Sequence, residues 1–508
     1  MARRTPDDQP GRSPDARLRP VFRVATAALA GAVAMAGSFA VAGNTPEFVV
    51  APVNAFVVNS SPAALVAFSI QTLGHLGDLL AFAFSVFLTF VILALAAGVG
   101  LEVGSRTSLP FASAAVAGVA VWAVTTGLTG DPVAALVSAV PAAAVVAIPT
   151  RIHGTPPADA AVRRRFLAAA GGVVGFGVVA YFLGRQRTLP PRESMPAPAA
   201  ATRLADQASA RQLDVAGIPG LVSDTDAFYQ VDIDAINPMV DASTWTLSVT
   251  GAVDQELSLS YADLRGMPAE TKYKTLRCVG ENLNAHLMDN AIWTGVPVRA
   301  LLERANPGGA CGCVLLRAAD GYAEEFPLAA LETAFLAYGM NGVSLPRAHG
   351  YPVRALVPGH WGEINVKWLT EIVALEQRVE GYWEQRGWHG TGPVNTVAKL
   401  WAINHLDGGR VQVAGQAYAG TRGISRVQVS TDGGSTWSDA TLSEPLDEAD
   451  VLGQRDVWRQ WQYTWTPTSG EHTVVVRATD GDGRLQSQES SPAFPNGASG
   501  WVSVTVRA

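Results

Sequence analysis

Cysteine is scarce in this chain of 508 residues. Only Cys278, Cys311 and Cys313 occur, and none of them forms a CxxC, CxxCH or Cys/His zinc spacing. The sequence therefore excludes a disulfide framework and a zinc site of the usual spacing. Cys311 and Cys313 share the Gly-rich segment GGACGCV, and a separation of two residues is awkward for a bridge. We expect these two cysteines to be incidental free thiols.

An excess of positive charge is also missing. The chain has 37 Lys and Arg residues against 44 Asp and Glu residues, a net charge of −7. It contains no basic patch or stripe of the kind that proteins use to hold phosphate backbones. Nucleic acid is therefore excluded as a partner.

Charged residues are few between positions 22 and 183, where long runs of Ala, Val, Leu, Phe and Gly occur. A helix needs about 20 apolar residues to cross a bilayer. A weaker stretch, 49–70, contains Asn, Ser and Pro and is interpreted as an external loop or a re-entrant segment. The apolar runs predict a bundle of five membrane-spanning helices, at 22–42, 76–99, 111–129, 132–149 and 166–184.

Arginines occur in alternate connections between these predicted spans. Six precede or open the first span, Arg106 follows the second, and four lie between 151 and 165, whereas the other short connections have no Lys or Arg. Because positive loops stay in the cytoplasm, this bias predicts a cytoplasmic tail at 1–21 and a cell-membrane anchor at 22–184. Everything after Leu183 is then extracytoplasmic.

Ionisable residues are nearly absent from the predicted spans. His75 and Asp78 lie at the end of one span, and no second histidine is positioned to ligate a haem. Since intramembrane ionisable groups usually mark function, we interpret the bundle as an anchor. A role in binding a partner or a quinone is the alternative, and the shortage of polar groups argues against a transporter.

After residue 185 the composition becomes that of a globular protein. A Pro- and Ala-rich linker, 185–215, is predicted to be extended and exposed. WTLSVTGAV reads as a strand, YADLRGMP as a capped helix, and KTLRCVGEN places Cys278 at the end of a strand. From 393 to 508, short alternating segments are separated by turns about every ten residues, which predicts an immunoglobulin-like sandwich.

Several motifs in this outer part occur in a recognisable order. TLRCVGEN, IWTGVPVRALLERA, DGYAEEFPL, MNGVSLPRAHGYPVRALVPGHWGEINVKWLTEI and YWEQRGW together resemble the sulfite oxidase family of molybdopterin enzymes. The resemblance extends from about Gly217 to the end of the chain and is to a membrane-anchored bacterial form. It implies an α+β molybdopterin-binding domain at 216–392 and a C-terminal domain, 393–508, that forms homodimers in the family.

The resemblance also implies a cofactor, molybdenum held by molybdopterin. Cys278 occupies the place of the metal-binding cysteine, and a soft thiolate suits a high-valent metal that already has sulfur ligands. His349, Arg354 and Lys367 resemble the clamp on the pterin phosphate, where cations supply charge-assisted hydrogen bonds. Asp320 resembles a turn residue near the cofactor. The plainer alternatives are a buried inert cysteine, two ordinary loops and a solvated lysine.

The substrate side departs from the family pattern. Arg459 lies in a W-R-x-W segment that resembles the one supplying an arginine to the oxyanion. Leu283 and Gln230, however, stand where the sulfite-oxidising members have basic residues, and Trp388 stands in place of the active-site tyrosine. The resemblance therefore implies two-electron oxygen-atom transfer on a small oxyanion or an S- or N-oxide, with Arg459 and Trp388 as catalytic residues.

The segment Arg163-Arg164-Arg165-Phe166-Leu167 resembles a twin-arginine export signal inside the chain. Such a signal fits a domain that takes up its cofactor while folding in the cytoplasm, and the alternative is a plain positive-inside cluster. The chain shows no haem-binding domain, so the electrons are expected to go to an external carrier, such as a cytochrome. The competing hypothesis is a cofactor-free, membrane-anchored binding or adhesion module.

Overall fold

The computed structural model describes residues 14–107, 109, 111–150, 160–186, 198–446 and 456–508. Within them the chain forms two compact units. The first contains residues up to Ser61, those from Leu76 to 186, and the short stretch Asp234–Asn237. The second contains Pro62–His75 and the remaining described residues after 198.

The first part of the chain is helical. Its helices are α1 (Pro14–Ala42), α2 (Val50–Asn59), α3 (Ala63–Phe68), α4 (His75–Gly104), α5 (Ala112–Thr129), α6 (Leu136–Thr150) and α7 (Ala160–Gln186). A π-helical turn, Ser69–Leu73, joins α3 to Gly74 and α4. The stretch 49–70, expected as a loop or re-entrant segment, therefore forms two short helices and the start of the turn.

Four described helices are long and apolar enough to cross a bilayer: Val21–Ala42, Leu76–Gly104, Ala112–Thr129 and Leu167–Arg185. The expected span at 132–149 is shorter than predicted. The Asp131 carboxylate accepts hydrogen bonds from the backbone N–H groups of Val133 and Ala134, so a turn occupies its start. The apolar part of α6, Leu136–Ala147, is too short for an untilted span. Apolar helices are confirmed, and the count of five spans is not.

Small residues let the helices of the first unit approach closely. A Cβ atom on Gly100 would lie 2.3 Å from the Cα of Ala117, and one on Gly37 would lie 2.1 Å from the carbonyl oxygen of Val137. Glycine at these positions therefore permits direct backbone contact, as is typical of helix packing in membranes.

The second unit contains short helices and many strands. The helices are α8 (Pro198–Arg211), α9 (Tyr261–Arg265), α10 (Arg299–Ala305) and α11 (Leu328–Leu331). The strands before residue 390 are β1 (Thr246–Gly251), β2 (Leu257–Ser260), β3 (Glu270–Arg277), β4 (Met288–Pro297), β5 (Cys313–Ala318), β6 (Ala323–Pro327), β7 (Phe335–Met340), β8 (Val343–Ser344), β9 (Arg354–Leu356) and β10 (Leu369–Leu375).

These ten strands form two sheets. One has the order β2-β1-β10-β5-β6, in which β1 and β10 are parallel and the other pairs are antiparallel. The other has the antiparallel order β3-β4-β7-β8, with β9 also paired to β7. Buried side chains from both sheets, among them Leu247, Leu316, Val296 and Leu336, belong to one apolar core. The expected α+β character of this region is therefore present.

The remaining strands are β11 (Val397–Ala398), β12 (Ala402–Leu406), β13 (Arg410–Tyr418), β14 (Ile424–Ser430), β15 (Ser438–Asp439), β16 (Thr441–Leu442), β17 (Arg459–Trp465), β18 (Glu471–Asp480) and β19 (Val502–Arg507). They form two antiparallel sheets, β11-β13-β17-β16 with β12 on β13, and β15-β14-β18-β19. Val413 and Trp461 of one sheet share a core with Val427 and Val476 of the other. The strands predicted from alternation are present, and the immunoglobulin-like topology stays a prediction.

Local signals explain two of these helices. The Ser260 hydroxyl accepts the N–H of Asp263, whose carboxylate accepts the N–H of Ser260, so a capping box begins α9 as predicted. The linker prediction was wrong from Pro198 onward, because residues 198–211 form α8. Its alanines favour helix, and proline is well suited to the first helical position.

The prediction of free thiols at Cys311 and Cys313 was also wrong, because the structure joins them in a disulfide. The Cα atoms are 5.2 Å apart, within the ordinary range for a bridge. Gly312 between them has a φ of +58°, a left-handed conformation that glycine adopts without steric cost. This residue lets the chain turn tightly enough to bring both sulfurs together.

Candidate active site

Cys278 follows the last residue of β3, as the sequence predicts. The final five residues of that strand are buried, and the N–H of Cys278 donates to the carbonyl of Leu287 at 3.0 Å. Only 8% of Cys278 is exposed, and it lines a cavity. Burial raises the pKa of its thiol to about 12, so the thiol is protonated at neutral pH unless a metal displaces the proton.

The fold brings six of the seven predicted site residues to this one cavity. They come from strand ends and from the segments between strands, and they are Cys278, Asp320, His349, Arg354, Lys367 and Trp388. Other lining residues were missed by the sequence analysis, and they include Ile70, Tyr229, Asp232, Tyr322, Glu363 and Trp383. For Tyr322, in the DGYAEEF motif, Glu363, in the HWGEINVKW motif, and Trp383, in the YWEQRGW motif, position within a recognised segment offered a signal.

Arg459 is the exception, because it is not among the described residues that line this cavity. It is the first residue of β17, which pairs with β13 and β16. Its guanidinium donates to the backbone carbonyls of Ser443 and Ile424, and it is not among the residues that line the cavity. The position of Arg459 in the described structure does not support a role in orienting substrate.

The cations at one end of the cavity are held by backbone oxygens. Arg354 donates to the carbonyls of His349 and Asn365 at 3.1 and 3.0 Å, and its buried Nε has no hydrogen-bond partner among the described residues. The His349 ring Nε2 lies 2.9 Å from the carbonyl of Thr225. Burial lowers the pKa of Arg354 to about 10, so the guanidinium is charged at neutral pH.

Lys367 extends this cationic end. Its ammonium forms an ion pair with Asp232 and donates to the carbonyl of Ala348 at 3.1 Å. Burial lowers the pKa of Lys367, and the Asp232 carboxylate opposes that shift. Trp368, next in the chain, has a φ of +49°, and its indole N–H donates to the carbonyl of Arg347. Hydrogen bonds to backbone carbonyls therefore fix the side chains at the cationic end of the cavity.

Asp320 lies in the turn between β5 and β6. Its carboxylate accepts the backbone N–H of Tyr322 at 2.9 Å, which fixes the turn as the sequence predicts. Burial raises the pKa of Asp320 to about 6. Asp320 therefore contributes a partly buried acceptor beside the cationic end.

The wall of the cavity near Cys278 contains tryptophan rings and a buried carboxyl, in contrast to the cationic end. Trp388 is 1% exposed, and its buried indole N–H has no acceptor in the described part of the chain. Its ring packs edge-on against Trp383 and Phe494, with centroids 6.2 and 5.1 Å away. Glu363 is 9% exposed, and its Oε2 likewise lacks a partner within the described ranges. Burial, then repulsion from Glu324 and Glu384, raises the pKa of Glu363, which favours a neutral carboxyl.

A buried ion cluster flanks Cys278. Arg277 donates to the Glu281 carboxylate at 3.0 Å, and Lys399, from the C-terminal region, pairs with the same carboxylate. All three side chains have no exposed surface. The Arg277–Glu281 spacing is visible in the sequence, whereas nothing in it points to Lys399.

These residues fit a metal cofactor with an anionic tail. The cavity combines a thiol, which is a soft ligand once deprotonated, with a cationic end where the Arg354 Nε has an unused donor. A phosphate would satisfy that donor with a charge-assisted hydrogen bond. No group of three or more His, Cys, Asp or Glu residues that could hold a metal by itself occurs in the described ranges, so Cys278 would be the protein's metal ligand and the pterin would supply the others.

Comparison with protein families gives two matches. Residues 234–383 match the oxidoreductase molybdopterin binding domain, and residues 394–494 match the Mo-co oxidoreductase dimerisation domain. The oxidoreductase YuiH of Bacillus subtilis is 31% identical over 185 residues, which cover 36% of this chain and 91% of that protein.

Longer relatives are matched in part. Mitochondrial sulfite oxidase of Homo sapiens is 29% identical over 307 residues, which cover 51% of this chain and 56% of that protein. The chain therefore spans little more than half the length of this relative. Among solved structures, the sulfane dehydrogenase SoxCD of Paracoccus pantotrophus is similar with a TM-score of 0.48 and 19% identity, covering 57% of this chain and 82% of that one.

Glu324 makes the stability of this region pH-dependent. Its Oε2 accepts the N–H of Trp383 at 3.1 Å, and burial raises its pKa to about 7. In the unfolded chain the Glu324 carboxyl loses its proton near pH 4.5, whereas in the folded protein it keeps the proton up to about pH 7. Protonated Glu324 therefore makes its full contribution to the free energy of unfolding below pH 4.5. That contribution is lost as the pH rises through 7, by on the order of 3 kcal/mol.

We therefore expect Glu324→Gln to flatten the decrease in the free energy of unfolding between pH 4.5 and 7, measured by denaturant titration followed through tryptophan fluorescence. Glu303→Gln, on the exposed face of α10, is the matched control and should keep the wild-type slope. An unchanged slope in Glu324→Gln would contradict the assignment.

Proposed function

Because the chain belongs to the sulfite oxidase family of molybdopterin-dependent oxidoreductases, we propose that it transfers an oxygen atom from a small, uncharged S-oxide or N-oxide, or in the reverse direction to the corresponding thioether or amine. The observation that carries the proposal is the cavity at Cys278. It has cations at one end and, at the other, the Trp388 indole N–H and the Glu363 Oε2, which have no hydrogen-bond partner among the described residues. Molybdenum bound by molybdopterin is the cofactor.

Cys278 would bind the metal through its thiolate, and Arg354, Lys367 and His349 would hold the phosphate end of the pterin, with Asp320 at the adjacent turn. When bound, the cofactor supplies oxygen-atom transfer coupled to a two-electron change. The protein supplies binding, orientation and electrostatics. The buried Arg354 Nε is the donor still available for a phosphate oxygen.

Trp388 and Glu363 support an uncharged substrate. The Trp388 N–H would donate to the substrate oxygen, and a neutral Glu363 carboxyl would lie against it without adding charge. The cations that line the cavity, Arg354 and Lys367, are engaged at the phosphate end. Among the described residues that line the cavity, no further Lys or Arg lies on the Cys278 side, which weakens both the binding of an oxyanion such as sulfite and its stabilisation during reaction.

The net reaction needs an electron carrier. Reduction of an S-oxide consumes two electrons and two protons and releases the thioether and one water, and the oxidation is the reverse. We assign the electrons to an external redox protein, with a cytochrome as the class to test. We further propose a homodimer through the domain at 394–494, since its family model is that of a dimerisation domain.

The proposal also includes a membrane anchor and the side of the membrane on which the catalytic part lies. Apolar helices precede the catalytic part, and the arginine bias predicts that this part is extracytoplasmic. We propose that the twin-arginine segment at 163–167 delivers the folded holoprotein, because a domain that has bound its cofactor cannot be threaded unfolded across the membrane. Of this segment, Arg163, Arg165 and Phe166 have side chains outside the described part of the structure.

The first test is the metal content of the full-length chain, purified in detergent from a host that makes molybdopterin. We expect about one molybdenum per chain by elemental analysis, lost in Cys278→Ser because a hydroxyl is a poor ligand for a soft site. Cys311→Ser combined with Cys313→Ser is the matched control and should keep the metal. A folded wild-type chain without molybdenum would favour the cofactor-free binding or adhesion module.

The second test concerns the substrate. With an artificial electron donor, the holoprotein should reduce dimethyl sulfoxide or trimethylamine N-oxide, and with an artificial acceptor it should oxidise sulfite far more slowly. Trp388→Phe should lower kcat/KM for the oxide roughly threefold to tenfold, the value of one neutral hydrogen bond, with unchanged molybdenum content. Rapid sulfite oxidation with no oxide reduction would contradict the assignment.

The third test concerns export. Arg163→Lys combined with Arg164→Lys should leave the catalytic domain inside the cell, because the twin-arginine route requires the pair. Arg165→Lys, at the variable position, should leave export intact. Protease accessibility in spheroplasts measures the outcome, and normal accessibility of the double variant would contradict the signal.

A further inference from the structure

We infer that Ile70, far upstream of the catalytic domain in sequence, forms one wall of the substrate side of the cavity and limits the size of the molecules that reach Cys278. This inference rests on the proposed function. It assigns a specificity-determining residue to the segment Pro62–His75, whose first part, up to residue 70, belongs to the stretch 49–70 predicted as an external loop or a re-entrant segment.

The segment Pro62–His75 groups with the second unit, which also contains the cavity. Ala67, on α3, is 9% exposed and belongs to the same apolar cluster as Val279, Trp361 and Trp388. Leu65, on the same short helix, is instead 56% exposed. One face of α3 is therefore packed into the catalytic core, and this packing places the following turn.

Ile70 comes close to both the metal-binding cysteine and the proposed oxygen-binding tryptophan. A Cβ atom added to Gly280 would lie 2.8 Å from the Cγ2 of Ile70, 3.5 Å from the Cη2 of Trp388 and 3.8 Å from the Sγ of Cys278. These three side chains therefore surround the small space that glycine leaves open. A larger Gly280 side chain would collide with Ile70 before anything else.

The backbone under Ile70 is unusual. Residues Ser69–Leu73 form a π-helical turn, a rare conformation found frequently at functional sites. The turn ends at Gly74, whose φ of +51° falls in the region that favours glycine. This widened turn is continuous with α3, so the packed face of α3 holds Ile70 in position.

The Ile70 side chain is apolar, which limits the ways in which it can act on a substrate. Its side chain has no polar atom, so it acts through volume and through exclusion of water rather than through charge. In an apolar pocket, one methylene group changes the discrimination between substrates by about tenfold or more. Shortening Ile70 should therefore change the preference between small and large substrates and leave metal binding unaltered.

The first experiment uses the full-length holoprotein in detergent and compares kcat/KM for methyl phenyl sulfoxide and dimethyl sulfoxide. Ile70→Ala should raise the ratio of the large to the small substrate by about tenfold or more, with unchanged molybdenum per chain. Ile70→Met, which approximately keeps the side-chain volume, should stay near the wild-type ratio. Leu65→Ala, the exposed residue of the same segment, is the matched control.

The second experiment does not depend on activity. Cys311 and Cys313 are bridged, so Cys278 is the free thiol of the chain, and its alkylation in cofactor-free, full-length protein reports access to the cavity. At alkaline pH, Ile70→Ala should react with N-ethylmaleimide several-fold faster than wild type. Leu65→Ala should react at the wild-type rate.

The outcomes separate the two proposals. Molybdenum bound at the wild-type level, with neither the substrate ratio nor the alkylation rate changed in Ile70→Ala, overturns the role of Ile70 and leaves the proposed function standing. A wild-type chain without molybdenum overturns the proposed function and, with it, the role of Ile70 in substrate selection. Faster alkylation of Ile70→Ala in that chain would still support Ile70 as a wall of the cavity.

Discussion

The candidate site depends on a buried ion cluster beside Cys278. Arg277 precedes the cysteine, Glu281 follows it, and Lys399 reaches the same carboxylate from the C-terminal region, all without exposed surface. Removing one partner from such a buried cluster costs about 3–5 kcal/mol, because an uncompensated charge remains. The loop that carries Cys278 is therefore held between two regions distant in sequence, and the position of the thiol depends on the C-terminal strands as much as on its own sheet.

Burial organises the remainder of the cavity into two chemical environments. It lowers the pKa of Arg354 and Lys367 at one end, and it raises the pKa of Glu363 and of the Cys278 thiol at the other. Each pKa shift has the same physical cause, since burial raises the free energy of the charged form of a group. The cationic end retains its charge through backbone oxygens and Asp232, and it suits an anionic group. The other end favours neutral groups, which supports an uncharged substrate.

Part of this arrangement could be predicted from the sequence, because the signals were local. Alternation and the cluster of motifs placed Cys278 at a strand end, and the order of the motifs grouped it with Asp320, His349, Arg354, Lys367 and Trp388. The capping box at Ser260 and the apolar runs of the first part are equally local. The prediction failed where local signals misled: Gly312 permits a bridge that spacing alone argued against, and an alanine-rich stretch expected to be extended forms α8.

By itself the sequence determined which residues have the chemistry of a thiolate metal ligand and a phosphate clamp, because those properties belong to residue type and short-range order. Only the tertiary structure decided which residues meet. It brought Ile70, Glu363 and Lys399 to the neighbourhood of Cys278, and it left Arg459 engaged with the carbonyls of Ser443 and Ile424, away from the cavity. Contacts such as those of Ile70 with the Cys278 side of the cavity and of Lys399 with Glu281 join residues distant in sequence. They arise from packing of the whole chain, and no short window of sequence contains that information.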